Sequence, residues 1–166
     1  MLMAIDIRVA SRADLDVIRT IYNEGIEDRT ATLDTALKSN VEMSEWWSQH
    51  TDAYTVIVAT ELDRVVGWAS LNRFSHRCAH AGIADLSVYV SRRRHGQGIG
   101  LALLCQLIQL ARASGFHKIV LYALDLNERG KRLYRNVGFA LVGVFREHGQ
   151  LDGRFVDVIA MELLLK

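Results

Sequence analysis

The stretch from Ala84 to Ala111 constrains this chain most, because a strand, a glycine turn and a helix follow one another without a break. Ala84-Asp85-Leu86-Ser87-Val88-Tyr89-Val90 alternates and is rich in β-branched residues, the pattern of a strand. Leu101 to Ala111 is long and apolar enough for a largely buried helix, with Cys105 expected as inert packing inside it. Between them lie Arg92-Arg93-Arg94 and His95-Gly96-Gln97-Gly98-Ile99-Gly100. A strand that turns through glycines into a helix offers bare backbone N–H groups at the positive end of the helix dipole, where a phosphate or pyrophosphate can sit. Glycine lets the backbone approach such an anion without a Cβ clash. The junction predicts a phosphorylated ligand.

The rest of the chain sets limits on what surrounds that junction. Its 166 residues suit one domain over 1–166 with a substantial core. Half of the residues are hydrophobic and 23% are charged, which speaks against disorder. A net charge of +1 gives no general pull towards nucleic acid or an anionic membrane, so neither is an expected partner. Met1-Leu2-Met3-Ala4-Ile5-Asp6 meets an acid at once and does not read as a signal peptide. The longest apolar helix is interrupted by Gln106 and Gln109, short of a membrane span. Cys78 and Cys105 make no disulfide framework, and a cytoplasmic location is the default.

Periodicity places the other elements. Ile5 to Val9 alternates as a first strand, and Ser11 with Asp14 opens a helix whose buried face is Leu15, Ile18, Ile21 and Tyr22. Lys38 to His50 predicts a second helix, with Trp46 and Trp47 as core or dimer packing. Tyr54–Thr60 and Val65–Leu71 read as a hairpin across Glu61 to Arg64. After the buried helix come a strand over His117–Ala123 and a helix over Asn127–Asn136, closed by Gly138. Strands over Phe139–Phe145 and Arg154–Leu164 finish the chain. The expected architecture is a mixed α/β domain with hairpins at both ends and a β-α-β-α-β second half.

Three families place glycines at a strand–helix junction. A P-loop needs Lys-Ser/Thr after its last glycine, where this chain has Leu101-Ala102. A Rossmann turn needs G-x-G-x-x-G, and Gly96-x-Gly98-x-Gly100 has the wrong spacing. His95-Gly96-Gln97-Gly98-Ile99-Gly100 instead resembles the Q/R-x-x-G-x-G/A signature of the GCN5-related N-acetyltransferase (GNAT) superfamily, with His95 in place of the leading Gln or Arg. Asn127-Glu128-Arg129-Gly130-Lys131-Arg132-Leu133-Tyr134-Arg135-Asn136-Val137-Gly138-Phe139 resembles that superfamily's downstream helix. Ile21-Tyr22-Asn23, Thr30-Ala31-Thr32, Ser87 to Ser91 and Gly153 to Val158 are similar to the phosphinothricin acetyltransferase group. Before the central strand, Phe74-Ser75-His76-Arg77-Cys78-Ala79-His80 departs from the group's F-R-x-R-x-A-Y, keeping one arginine as Arg77.

The resemblance implies a GNAT fold: α/β (α+β), with a central mixed, mostly antiparallel, twisted sheet of about seven strands flanked by about four helices. It implies acetyl-CoA as co-substrate, a small amino-acid-like amine as acceptor, of the phosphinothricin or methionine sulfoximine type, and a homodimer. Residue by residue, it places the pyrophosphate over His95, Gly96, Gln97, Gly98, Ile99 and Gly100. The pantetheine arm would run beside Val88, Tyr89 and Val90, given a bulge that splays this strand, and Asn127 would cap its helix or touch the cofactor. Asp85 matches the group's strand glutamate as general base, working through water, and Tyr134 falls at the superfamily's general-acid position. Arg77 and Arg154 are candidates for a substrate carboxylate, with Phe74 beside them. Arg92 to Arg94 either pair with phosphates or form a solvated basic turn. His76-x-Cys78-x-His80 lacks a second ligand cluster, so no metal is expected. Two other readings are protein or peptide N-acetylation and a non-catalytic acyl-CoA sensor. Retention of both Asp85 and Tyr134 argues against the sensor.

Overall fold

Which strand pairs with which decides where a ligand can enter. In the computed structural model, which describes residues 4–51 and 53–166, the elements are β1 (Asp6–Val9), α1 (Leu15–Glu27), α2 (Asn40–Ser48), β2 (Val56–Glu61), β3 (Arg64–Arg73), β4 (Ile83–Val90), α3 (Ile99–Ala113), β5 (Lys118–Leu124), α4 (Glu128–Asn136), β6 (Ala140–Leu151) and β7 (Arg154–Leu164). The reading of the N-terminal residues as no signal peptide rests partly on Met1 to Met3, outside the described residues. The seven strands form one sheet in the order β1-β2-β3-β4-β5-β7-β6. Every neighbouring pair is antiparallel except β4 with β5. This is the mixed sheet with four α-helices that the sequence leads one to expect.

The parallel pair is the exception that matters. β4 and β5 register only at Ile83–Lys118 and Ala84–Ile119, then part. β4 stays fully paired with β3 along its other edge, from Gly67–Val90 to Arg73–Ala84, with no shift of register. The expected bulge in β4 is therefore absent. Divergence of the two parallel strands opens the sheet instead, leaving one backbone edge of β4 facing a gap.

Alternation along the strands builds a core on each face. Ala84 and Leu86 point to the α3 side, where Leu103, Leu104, Leu107 and Ala111 are fully buried among them. The helix buries that stripe only. Leu101 and Cys105, four residues apart and so one turn apart on the outer face, are exposed. Cys105 is thus not the packed residue expected from the overall apolarity of the segment. On the opposite face Trp68 is 1% exposed beneath α1 and α2, stacked on Tyr89 at 5.1 Å and edge-on to Trp46 at 5.3 Å. Burial of large aromatic area makes this cluster the second anchor of the fold.

Local chemistry sets the helix ends. Ser39 and Glu42 form a capping box that starts α2 at Asn40, two residues later than periodicity suggests. Ser11 and Asp14 form a similar box, but around a 3-10 turn that precedes α1. β6 runs six residues beyond its expected end at Phe145, to Leu151, because Asp157 accepts from the Glu147 N–H at 2.8 Å and pairs with Arg146 at 2.9 Å across the irregular stretch. Among the described residues no helix is long and apolar enough to cross a membrane.

Candidate active site

The glycine turn owes its shape to backbone conformations that side chains resist. Gly96 and Gly98 have φ of +74° and +81°, the left-handed region that costs an L-residue about 1–2 kcal/mol. An added Cβ at either would meet nothing within 4 Å, so these glycines face open space. Gly98 is the N-cap of α3 and offers no side-chain cap, so first-turn N–H groups keep their free valence for an anion. Chemically and sterically, this turn fits a pyrophosphate.

The turn lines a cleft of about 910 Å³. Val88, Tyr89 and Val90 of β4 form one wall, and Asn127, Leu133 and Tyr134 form the other. His95, Gly96, Gly98, Ile99 and Gly100 lie at its end, whereas Gln97 does not line it and its Oε1 accepts from Arg94 at 3.4 Å. His95 holds the turn in place. Its Nε2 lies 2.8 Å from the Val90 carbonyl and its Nδ1 is contacted by Arg129, so the ring ties β4 to α4. A carbonyl only accepts, which puts the proton on Nε2.

The arginine run is largely neutralised. Arg92 pairs with Asp28 at 2.8 Å and with Glu27 at 3.1 Å, while Arg94 pairs with the buried Glu61. All three acids come from distant elements that the local reading did not connect. Of the three arginines, these two act first as ties to α1 and β2.

A smaller chamber of about 280 Å³ joins the cleft through shared walls at Ala31, Val88, Tyr89, Asn127 and Tyr134. Asp85, Ser87 and Tyr89 alternate along β4 so that all three line it. Burial pushes the Asp85 carboxyl up to about 6, against one hydrogen bond from the Leu86 N–H at 2.7 Å that lowers it. Burial, with the charge of Asp85 second, pushes the Tyr134 phenol up to about 12. Each therefore holds its proton more tightly than usual. Tyr134 packs edge-on against Phe139 at 5.8 Å. Asn127 caps α4 by accepting from the Gly130 N–H at 2.9 Å.

Not every expected residue arrives here. Arg77, Arg154 and Phe74 line neither cavity, and Phe74 packs on His80 instead. Ser87, Tyr22 and Leu33 also line the chamber, and no local sequence pattern marks them for it. Tyr22 lies on the helical face read as core, and its hydroxyl donates to Asp34 at 2.6 Å. Among the described residues no cluster of three or more His, Cys, Asp or Glu side chains is placed to hold a metal.

The acetyltransferase (GNAT) family pattern matches residues 18–139, which takes in most of α1 and all of the glycine turn and α4. The chain belongs to the GNAT family. This GNAT acetyltransferase is 32% identical to the L-methionine sulfoximine/L-methionine sulfone acetyltransferase of Pseudomonas paraeruginosa, over 98% of its own length and 96% of that protein. The solved GNAT phosphinothricin acetyltransferase of Sinorhizobium meliloti, in complex with AcCoA, superposes with a TM-score of 0.93 at 32% identity, over 98% and 89% of the two chains. A ribosomal-protein-alanine N-acetyltransferase from Brucella melitensis superposes with a TM-score of 0.92 at 32% identity, over 96% and 99%. The fold expected from the glycine junction and the Asn127 helix is the one this acetyltransferase has.

Proposed function

We propose that the protein, a single acetyltransferase domain over 1–166, transfers an acetyl group from acetyl-CoA to the α-amino group of a small amino-acid-like acceptor. The observation that carries this reading is the chamber of about 280 Å³ opening into the large cleft beside Asp85 and Tyr134. Ligand pockets span roughly 300–1,000 Å³, so this one suits a very small molecule. The cleft suits the long co-substrate, with pyrophosphate at Gly96 to Gly100 and pantetheine along the gapped edge of β4, bonding to backbone groups that β5 leaves unpaired.

In this mechanism Asp85, through one water, takes a proton from the acceptor ammonium. The freed nitrogen attacks the thioester carbonyl carbon, and the carbon–sulfur bond breaks. Tyr134 Oη gives its proton to the departing sulfur. Asp85 hands this first proton to solvent, takes the second nitrogen proton through the same water as the tetrahedral intermediate collapses, and passes it to Tyr134, so the products are an amide, a thiol and one released proton with the protein unchanged.

The chamber's outer wall comes from the loop between α1 and α2. Arg29 pairs with Asp152 at the β6–β7 turn at 2.9 Å, and Asn23 holds Lys38 by bonds of 2.8 and 3.2 Å. Leu33 of this loop lies so close to Gly149 that a Cβ there would come within 2.6 Å of it. A loop pinned at both ends favours a free amino acid over a peptide. The similarity to a ribosomal-protein-alanine acetyltransferase favours peptides, and a direct comparison separates the two readings. Thiol release is expected with methionine sulfone, methionine sulfoximine or phosphinothricin and not with alanine-initiated peptides. Turnover of peptides alone would sink the small-acceptor reading. Leu33→Ala should admit bulkier amino acids, and no change in acceptor range would remove that residue from the wall.

A homodimer and a cytoplasmic location complete the proposal. Among the described residues β6 is an edge strand with no second neighbour, and Val142, Phe145 of β6 and Phe155 of β7 are 59%, 44% and 65% exposed. An apolar, unpaired edge of this length is a liability unless another surface covers it, and a second copy is the covering we expect. Sedimentation should give a dimer that Val142→Lys with Phe145→Lys converts to monomer; a monomeric wild type would refute it. Both cysteines are free thiols, in keeping with a reducing compartment.

A further inference from the structure

We propose that Ala31 sets the size of the acyl group the protein transfers, its methyl side chain standing against the acyl chain of the thioester and holding the donor to acetyl. The inference rests on the reading of the two cavities as co-substrate cleft and acceptor chamber, and it concerns the donor side of that reaction.

The cleft and the chamber share five wall residues, and these come from three places in the chain. Val88 and Tyr89 belong to β4, Asn127 and Tyr134 to the cap and body of α4, and Ala31 to the loop between α1 and α2. A thioester that reaches from the cleft to an amine in the chamber must react at this neck. The attacked carbon becomes tetrahedral, and its four substituents diverge. Sulfur points back to the cleft beside Tyr134, and nitrogen points into the chamber beside Asp85. The oxygen gains charge and needs donors, which the backbone edge of β4 left open by β5 supplies. One wall remains for the fourth substituent, the acyl chain. That wall is Ala31.

Little at the neck can give way. The Thr32 hydroxyl is hydrogen-bonded to Tyr89 and accepts from the Asp34 N–H at 3.1 Å. On the other side of Ala31, Arg29 donates to the Ile26 carbonyl at 2.8 Å and pairs with Asp152 at 2.9 Å. Across the neck the Tyr89 ring lies 4.9 Å from Tyr22 and 5.1 Å from Trp68, centre to centre. It packs so tightly on Gly25 that a Cβ there would come within 2.8 Å of it. A wall tied on both sides of Ala31 does not recede, so an added methylene overpacks the neck. Ala31 has no left-handed φ, so glycine there removes a methyl group without relieving strain.

Acetyl-, propionyl- and butyryl-CoA differ by one methylene each and share every contact of the CoA moiety. With methionine sulfone as acceptor, kcat/KM of the wild type should fall about tenfold or more from acetyl-CoA to propionyl-CoA, the usual worth of one methylene in a filled pocket. Ala31→Gly should reduce that preference about tenfold, and Ala31→Val should lower turnover of acetyl-CoA itself by about tenfold. Free CoA carries no acyl group, so its calorimetric affinity should be the same in all three proteins. The KM for methionine sulfone should also hold in the glycine variant. A merely loosened loop would instead raise that KM with every donor and leave the donor preference as it was, and this result would overturn the role. Equal use of acetyl- and propionyl-CoA by the wild type would overturn it too. If only peptides are acetylated, the same donor series run with a peptide decides the matter, so the small-acceptor reading can fail alone. Turnover with no amine would remove both.

Discussion

Replacing Tyr134 with phenylalanine should lower turnover by about 10²–10⁴-fold, the usual worth of a positioned acid, while acetyl-CoA affinity changes little. Phenylalanine keeps the ring that packs edge-on against Phe139 and the wall that both cavities share. Only the proton is lost. Burial makes the phenol an unusually weak acid, at about 12, so it is fully protonated when the thioester arrives. The same dry surroundings raise the basicity of a thiolate formed beside it, which keeps the transfer feasible. Thiol release at saturating co-substrate and calorimetric binding of CoA check the two halves separately. An unchanged rate would take the acid role away from Tyr134.

Asp85→Asn should cost a comparable factor in rate and, unusually, make the protein more stable at neutral pH. The rate of the wild type should rise as pH rises through about 6, where Asp85 loses its proton, and the variant should lack that step. Stability changes in the opposite direction. A carboxyl whose folded pKa lies above its unfolded one binds more protons when folded, so stability falls as pH rises between about 4 and about 6. Above that window the buried charge is a standing penalty of up to about 3 kcal/mol, from roughly two units at 1.36 kcal/mol each. Asparagine removes the charge and can still accept from the Leu86 N–H. Thermal melts at pH 4 and pH 7.5 would test this. A variant less stable than wild type at pH 7.5 would refute the burial penalty.

What was legible in the sequence was local. The glycine turn, the Asn127 cap and the alternation of Asp85, Ser87 and Tyr89 all depend on neighbours within a few residues. Long-range partners were not legible. Nothing near Arg92 or Arg94 announces Asp28 or Glu61, and nothing near Leu33 announces Gly149. The end of β6 is not legible because Arg146 to Gly149 breaks alternation, and the Asp157 carboxylate that accepts from the Glu147 N–H lies on the partner strand. Cys105 reads as buried for another reason. A segment apolar all round hides which stripe faces out, and only the packing of α3 on β3 and β4 reveals it. Arg77 and Arg154 suit a carboxylate by their charge alone, whereas hydroxyls and one carboxylate line the chamber.

The Asn127 cap has a consequence for how substitutions in α4 will behave. The helix is nine residues long, too short to hold its register by propensity alone. Tyr134 stands seven residues after Asn127, two turns on and so in line with it. The single bond from the Gly130 N–H therefore sets both where the helix starts and the azimuth of the phenol two turns away. Substitutions at position 127 will be doubly pleiotropic, altering folding and proton delivery through one lost contact. Drift among related chains should accordingly be slower there than at the exposed arginines of the same helix.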